Sequence, residues 1–252
     1  MSKNEQKSVI ITGGNKGIGE SITRVFLAAN YHVFVGARER TAMFDENVDN
    51  LHFVSTDVRK ESEHRKLVAY ACDTIGQLDV YINNAGLSEW KPLAEITEDF
   101  VDHLIDTNLK SVIWGCKAAA EVMTEGAAII NISSIAGKRG STNNTVYCAS
   151  KFAVNGVTQS LAKELGPMGI RINALCPVLV TTPGLLDALA GENAPGGDDP
   201  AAFIDNFRKA NAALGRLPTG EEVGQMALFL SGAGASAITG QCINVDCGVF
   251  PQ

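Results

Sequence analysis

Nothing in the 252 residues reaches the roughly eighteen consecutive apolar positions that a membrane-crossing helix needs, so no span is expected. Met1–Lys7 is polar with no apolar signal segment behind it, and the expected compartment is the cytoplasm. Histidine is scarce: His32, His52, His64 and His103 all lie away from the motifs described below, which disfavours a His-based dehydrogenase or hydrolase. The six cysteines are scattered without C-x-x-C or Cys/His ligand spacing, so neither a disulfide framework nor a metal site is expected. Basic charge is also short. The 21 Lys and Arg against 28 Asp and Glu leave a net charge of −7, which opposes general attraction to nucleic acid or anionic membrane. A chain that is 45% apolar and 19% charged, with only 8 Pro, is not disordered, collagenous or coiled-coil. Its length fits a single domain, 1–252.

What is present is alternation. Short, β-branched apolar runs at Val9–Thr12, Val33–Val35, Leu51–Val54, Val80–Asn83, Ala127–Ile132, Ile170–Leu175 and Ile243–Val245 read as strands. Between them fall helical periods: Ile18, Ile22, Val25 and Phe26 after the first strand, then segments over about 98–123, 147–166 and 219–231. Strands apolar on both faces and joined by helices imply a doubly wound parallel sheet in a three-layer α/β/α sandwich. Only Arg38 to Asn50 separates the second strand from the third, which leaves room for a short or vestigial crossover. Segment 183–215, in which the apolar Leu185–Ala190 joins a Gly/Pro/Asp-rich stretch, reads as a mobile lid over a site.

The first strand runs straight into Gly13-Gly14-Asn15-Lys16-Gly17-Ile18-Gly19 and then a helix, the arrangement in which backbone N–H groups meet a dinucleotide pyrophosphate in a Rossmann fold. Gly17 follows Lys16 where a Walker loop needs Ser or Thr, so a magnesium–triphosphate loop is excluded. The second strand ends Gly36-Ala37-Arg38 with no carboxylate for a ribose 2′-hydroxyl. Arg38, with Lys16 as a second cation, instead suits a 2′-phosphate, which favours NADP(H) over NAD(H).

Tyr147-Cys-Ala-Ser-Lys151 puts a phenol and an ammonium four residues apart on one helix face. At about 4 Å and an effective dielectric of about 20, such a cation favours the phenolate by ~4 kcal/mol, roughly three pK units, enough to bring a phenol toward neutral-pH proton transfer. Ser134 ends the fifth strand thirteen residues earlier, Asn83-Asn84-Ala85-Gly86 follows another strand, and Asn108 lies in a helical stretch. This ordered set resembles the classical short-chain dehydrogenase/reductase family over nearly the whole chain, Val9 to Gly248.

That resemblance implies roles. Tyr147 would exchange a proton with the carbonyl or alcohol oxygen, Lys151 would lower its pKa and bond the nicotinamide ribose, Ser134 would hold the oxygen, and Asn108 would anchor a water in the proton relay. Gly13, Asn15, Lys16, Gly17, Ile18 and Gly19 would hold the pyrophosphate turn. Asp57 and Val58 would face the adenine, Asn84, Ala85 and Gly86 would border the adenosine, and Pro177, Val178, Val180 and Thr182 would lie along the nicotinamide. Ser134, Tyr147, Trp90, Asn144 and Leu179 would contact substrate. Ser133 is expected to bond backbone. Hydride passes directly between nicotinamide and substrate in this family, so no metal is implied.

Two positions depart from the family pattern: Val178 replaces the usual glycine after Pro177, and Cys247 replaces the first glycine of a Val-Asp-Gly-Gly run. The wide apolar arcs of 98–123 and 147–166, the helices through which family members pair, imply a homotetramer or homodimer. The reading is an NADP(H)-dependent reductase of a ketone, keto sugar or 3-oxoacyl compound, or the reverse secondary-alcohol dehydrogenase. A catalytically silent NADP(H)-sensing protein is the alternative, and a nucleotide-sugar epimerase is disfavoured for want of a substantial C-terminal substrate domain.

Overall fold

The computed structural model describes residues 7–45 and 48–251; the polar stretch read at the chain start therefore lies, except for Lys7, outside the described residues. The elements run in chain order as β1 (Ser8–Thr12), α1 (Gly17–Ala28), β2 (His32–Ala37), β3 (Leu51–Ser55), α2 (Glu61–Ile75), β4 (Val80–Asn83), α3 (Glu98–Ile105), α4 (Ser111–Ala120), β5 (Ala128–Ile132), α5 (Thr145–Leu165), β6 (Arg171–Pro177), α6 (Pro183–Leu189), α7 (Pro200–Asn211), α8 (Gly220–Ser231) and β7 (Cys242–Val245). All seven strands pair in parallel in the order β3-β2-β1-β4-β5-β6-β7. The chain winds outward from β1 in one direction and from β4 in the other. Their junction is the topological switch point, beyond whose carboxyl ends such sheets hold ligands.

The pleat divides the apolar strand residues between two cores. Val9 and Ile11 of β1 join Val33, Val35, Ile82 and Ile130 beneath α1 and α8, where Ile22, Phe26, Val223, Ala227 and Leu230 are buried. Ile10, Phe34, Tyr81, Ile129 and Ile172 point the other way, against Leu67 and Val68 of α2, Val112 and Cys116 of α4 and Val154 of α5. This is the expected three-layer sandwich, and every predicted strand is present within two residues of its predicted ends.

The lean β2–β3 crossover holds a 3-10 turn at Ala42–Asp45 and no α-helix among the described residues. Helix α2 is an addition to the sequence reading. It buries His64, Leu67, Val68 and Ala71, a helical stripe whose first position is filled by a histidine rather than an aliphatic residue. The predicted 98–123 helix is α3 and α4 joined through a π-turn at Asp106–Lys110. The segment 183–215 contains two capped helices, α6 and α7. Thr182 accepts from Leu185 N at 3.2 Å and Asp199 from Ala202 N at 2.9 Å, and each cap is followed by proline at the first helical position.

Candidate active site

The β1–α1 turn is built around a close approach that excludes side chains. A Cβ on Gly19 would stand 2.1 Å from Gly13 O and 2.5 Å from Asn84 Nδ2, while Gly13 and Gly17 hold φ values of 63° and 57° in the left-handed region. Asn84 staples this turn to β4: its Nδ2 donates to Thr12 O at 2.9 Å and Gly13 O at 3.1 Å. Thr12 Oγ1 returns the bond, accepting from Asn84 N at 3.0 Å and Ala85 N at 3.1 Å. Thr12 was not singled out in the sequence; as the last residue of an apolar strand it is hidden by its own β propensity.

Asn15 is buried and ties the loop to the end of β2, donating to Glu39 O at 2.9 Å and accepting through its carbonyl from Thr41 Oγ1 at 2.9 Å. Lys16 precedes α1 in extended backbone, and its side chain is exposed. Ile18 packs on the α1–α8 core. Arg38 is exposed at the carboxyl end of β2 and has no hydrogen-bond or ion-pair partner among the described residues. Asp57, after β3, is chelated by Arg59 at 2.9 and 2.8 Å, and this guanidinium holds the carboxyl at about 2. Val58 is buried beside it. A glycine cradle at a helix N-terminus fits a dinucleotide pyrophosphate, and the Lys16 and Arg38 side chains have no ion-pair partner among the described residues.

At the carboxyl end of β5 the fold gathers Ser134, Tyr147 and Lys151. Lys151 is buried, donates from Nζ to Ile132 O at 2.9 Å, and sits 5.7 Å from the centre of the Tyr147 ring. Ser133 Oγ donates to Lys151 O at 3.2 Å, a backbone bond as expected, and Ser134 Oγ reaches Pro177 O at 3.4 Å. The tuning of the phenol is not the one that its spacing from Lys151 alone suggests. Burial pushes Tyr147 up to about 12, opposed in part by the Ser134 hydroxyl, and burial pushes Lys151 down to about 8. The ammonium lies over the ring and donates to Ile132 O, and burial outweighs any gain the phenolate has from it.

Asn108 lies in the π-turn, fully buried. Its Oδ1 accepts from Leu87 N at 2.9 Å, and its Nδ2 donates to Leu87 O at 2.9 Å and Ser150 Oγ at 3.2 Å. The side-chain amide thus fixes the loop after β4 against α5. Gly86 completes this corner: a Cβ there would lie 3.2 Å from Asn108 Oδ1 and 3.6 Å from Lys151 Nζ.

The remaining expected residues divide. Pro177 ends β6, and the buried Val180 side chain belongs to the α1–α8 core. Thr182 caps α6 and approaches Gly17, whose Cβ position is 3.9 Å from it. The Val178 side chain is buried with Ile135 and Val249, and Leu179, Phe207 and Leu217 pack on this cluster. Valine in place of glycine therefore anchors α7 beside the Ser134 turn. Trp90 is half-buried, and Asn144 is buried, donating to Ser141 Oγ at 3.1 Å while its Oδ1 has no partner. Cys247 holds φ 54°, a left-handed conformation that the family glycine would adopt without a Cβ penalty. A buried asparagine chain also escaped notice: Asn83 Nδ2 donates to Asn131 Oδ1 and Asn131 Nδ2 to Thr158 Oγ1, both at 2.9 Å, bracing β4 and β5 against α5. Its signal was an asparagine within each of two otherwise apolar strands.

A family model described as Enoyl-(Acyl carrier protein) reductase matches residues 13–250. The chain belongs to the short-chain dehydrogenase/reductase family. Within that family it is 34% identical to a 3-oxoacyl-(acyl-carrier-protein) reductase of Chlamydia muridarum, over 96% of this chain and 97% of that protein. It is 32% identical to an L-2,3-butanediol dehydrogenase of Corynebacterium glutamicum, over 97% and 98% of the two chains. The solved structure of an actinorhodin polyketide ketoreductase variant with NADPH superposes with a TM-score of 0.89 at 30% identity, covering 99% of both chains. These likenesses make this short-chain dehydrogenase/reductase an oxidoreductase acting between CH–OH and C=O groups. Among the described residues no helix is long and apolar enough to cross a membrane.

Proposed function

We propose that this short-chain dehydrogenase/reductase is an NADP(H)-dependent carbonyl reductase, or the corresponding secondary-alcohol dehydrogenase, working in the cytoplasm on a small-molecule substrate. The observation that carries the reading is the convergence of Ser134, Tyr147 and Lys151 beside the glycine cradle, at the carboxyl edge of one sheet. The nicotinamide, when bound, supplies or accepts the hydride. Ser134 Oγ holds the substrate oxygen, and the Tyr147 hydroxyl gives that oxygen its proton in reduction and takes it back in oxidation. Lys151, buried beside the Tyr147 ring and with its pKa pushed down to about 8, would bond the nicotinamide ribose. Asn108 would anchor a water in the proton relay, and its amide holds Leu87 and Ser150 in place. Trp90, Asn144 and Leu179 border the substrate.

The preference for NADP(H) is supported by the unpartnered Arg38, with Lys16 as the second cation, and by the NADPH named with the actinorhodin ketoreductase structure. Phe152 on α5 and Ile113 on α4 leave apolar surface exposed, at 48% and 38%, which supports pairing into a homodimer or homotetramer. A monomer alone in sedimentation at micromolar concentration would count against that assembly.

The test is nicotinamide absorbance with NADPH and NADH against ketones, keto sugars and 3-oxoacyl thioesters, for wild type and Tyr147→Phe. Turnover by wild type that falls at least 100-fold in the variant supports the reading. Tight NADPH binding without turnover, indifferent to Tyr147→Phe, would replace it with a nucleotide-sensing role.

A further inference from the structure

Asn143 joins three segments that are far apart in sequence. Its carbonyl accepts from Lys91 N at 2.6 Å, and its Nδ2 reaches Asn193 O at 3.4 Å. The loop after β4, the turn that opens α5 and the connection between α6 and α7 are therefore linked through one residue, four positions before Tyr147. Its φ of 57° lies in the left-handed region, which asparagine tolerates better than most residues. The bridge thus uses a backbone conformation that few other side chains would accept.

The chemistry around this bridge disfavours a large acidic visitor. Between Arg171 and Arg208 the chain carries no Lys or Arg; of its acidic residues Asp205 is paired with Arg208 and Lys209 and Asp199 caps α7, which leaves Asp187, Glu192 and Asp198 exposed. The two cations nearest Ser134 in sequence are already engaged: Lys138 Nζ donates to Cys242 O at 2.6 Å, and the Arg139 guanidinium lies 5.5 Å from the centre of the Phe250 ring. If the joined segments rim the site, an acyl group tethered to an acidic carrier has to pass its arm between them while its carrier faces the exposed Asp187, Glu192 and Asp198. A compact, uncharged carbonyl compound meets neither obstacle.

Resting on the reductase reading above, we propose that Asn143 is a specificity-determining residue, and that its bridge holds the mouth of the site to compact, carrier-free carbonyl substrates such as small hydroxyketones. It acts by holding Lys91 and Asn193 in place and takes no part in the chemistry.

The experiment compares kcat and KM for small hydroxyketones, a short free 3-oxoacyl thioester and the same acyl group on an acidic carrier protein, in wild type and Asn143→Gly. Glycine keeps the left-handed backbone and removes only the side-chain donor, so the variant should fold. Wild type should prefer the hydroxyketone to the carrier-bound acyl group by at least about tenfold in kcat/KM, and Asn143→Gly should reduce that preference several-fold, mainly through KM. Hydrogen exchange of the 190–199 amides, read without substrate, should be faster in the variant. Preference for the carrier-bound substrate, or a ratio and exchange rate unchanged by Asn143→Gly, overturns the inference. Failure to turn over any substrate overturns the reductase reading, and the substrate class with it, while hydrogen exchange still separates that failure from loss of the bridge.

Discussion

Replacing Arg38 with leucine should separate the two nicotinamide cofactors. Arg38 is exposed and its side chain makes no bond to the described residues, so its removal takes away the proposed phosphate contact without breaking a native one. A charge-assisted hydrogen bond contributes about 1.5–3 kcal/mol. Solvent around an exposed guanidinium and the continued presence of Lys16 place the loss at the lower end, near about 1.5–2 kcal/mol. At about 1.4 kcal/mol per tenfold, NADPH should bind roughly 10- to 30-fold more weakly, with NADH changed by less than about threefold. Nucleotide fluorescence titrations of both cofactors give the two Kd values, and thermal unfolding of the free protein should show the same Tm in wild type and variant. Raising the salt concentration should narrow the wild-type preference for NADPH, since the interaction is between exposed charges. Equal losses for both cofactors would refute the 2′-phosphate argument. A fall of several degrees in Tm would show instead that Arg38 supports the fold.

Gly19→Ala should abolish binding of both cofactors while Arg38→Leu affects one, because its Cβ would meet Gly13 O at 2.1 Å and force the turn apart; a titration that still shows tight binding would contradict the close approach. His64 is fully buried between Tyr81 OH at 2.7 Å and Val58 O at 2.8 Å, and burial lowers its pKa below 6.5. Below that value the unfolded chain binds a proton that the folded one resists, so this contribution to stability is complete above about pH 6.5 and shrinks as pH falls. His64→Leu should cost about 2–5 kcal/mol by stranding both partners, and should flatten the acid limb of a denaturation-against-pH curve; an unchanged limb would point to other groups.

The order of elements was written into the chain locally. β-branched runs such as Val9-Ile-Ile and Ala128-Ile-Ile fit only strands buried on both faces, and their alternation with helical periods leaves the doubly wound sheet as the economical packing. The glycine turn was equally legible, because Gly13, Gly17 and Gly19 answer a backbone constraint between neighbouring segments. Tyr147 and Lys151 share a helix face by spacing alone. Helix α2 was legible in principle, but its stripe begins with a histidine whose apolar setting exists only once Tyr81 and Val58 O are brought to it.

What tertiary structure decided was the protonation and the reach of these groups. Sequence spacing suggested a cation beside the phenol. Burial set Tyr147 up to about 12 and Lys151 down to about 8, because desolvation depends on everything packed around a group and not on its helix neighbours. The bonds that tie the Asn108 amide to Leu87 and Ser150 depend on a π-turn that no residue pattern announces. Asn143 joins partners 52 and 50 residues away at Lys91 and Asn193, contacts fixed only when the loops above β4, β5 and β6 close around one sheet edge. Local sequence determines which elements form and which atoms they carry; the distances, dielectric and bonds among atoms from different elements arise only when the sheet and its helices pack.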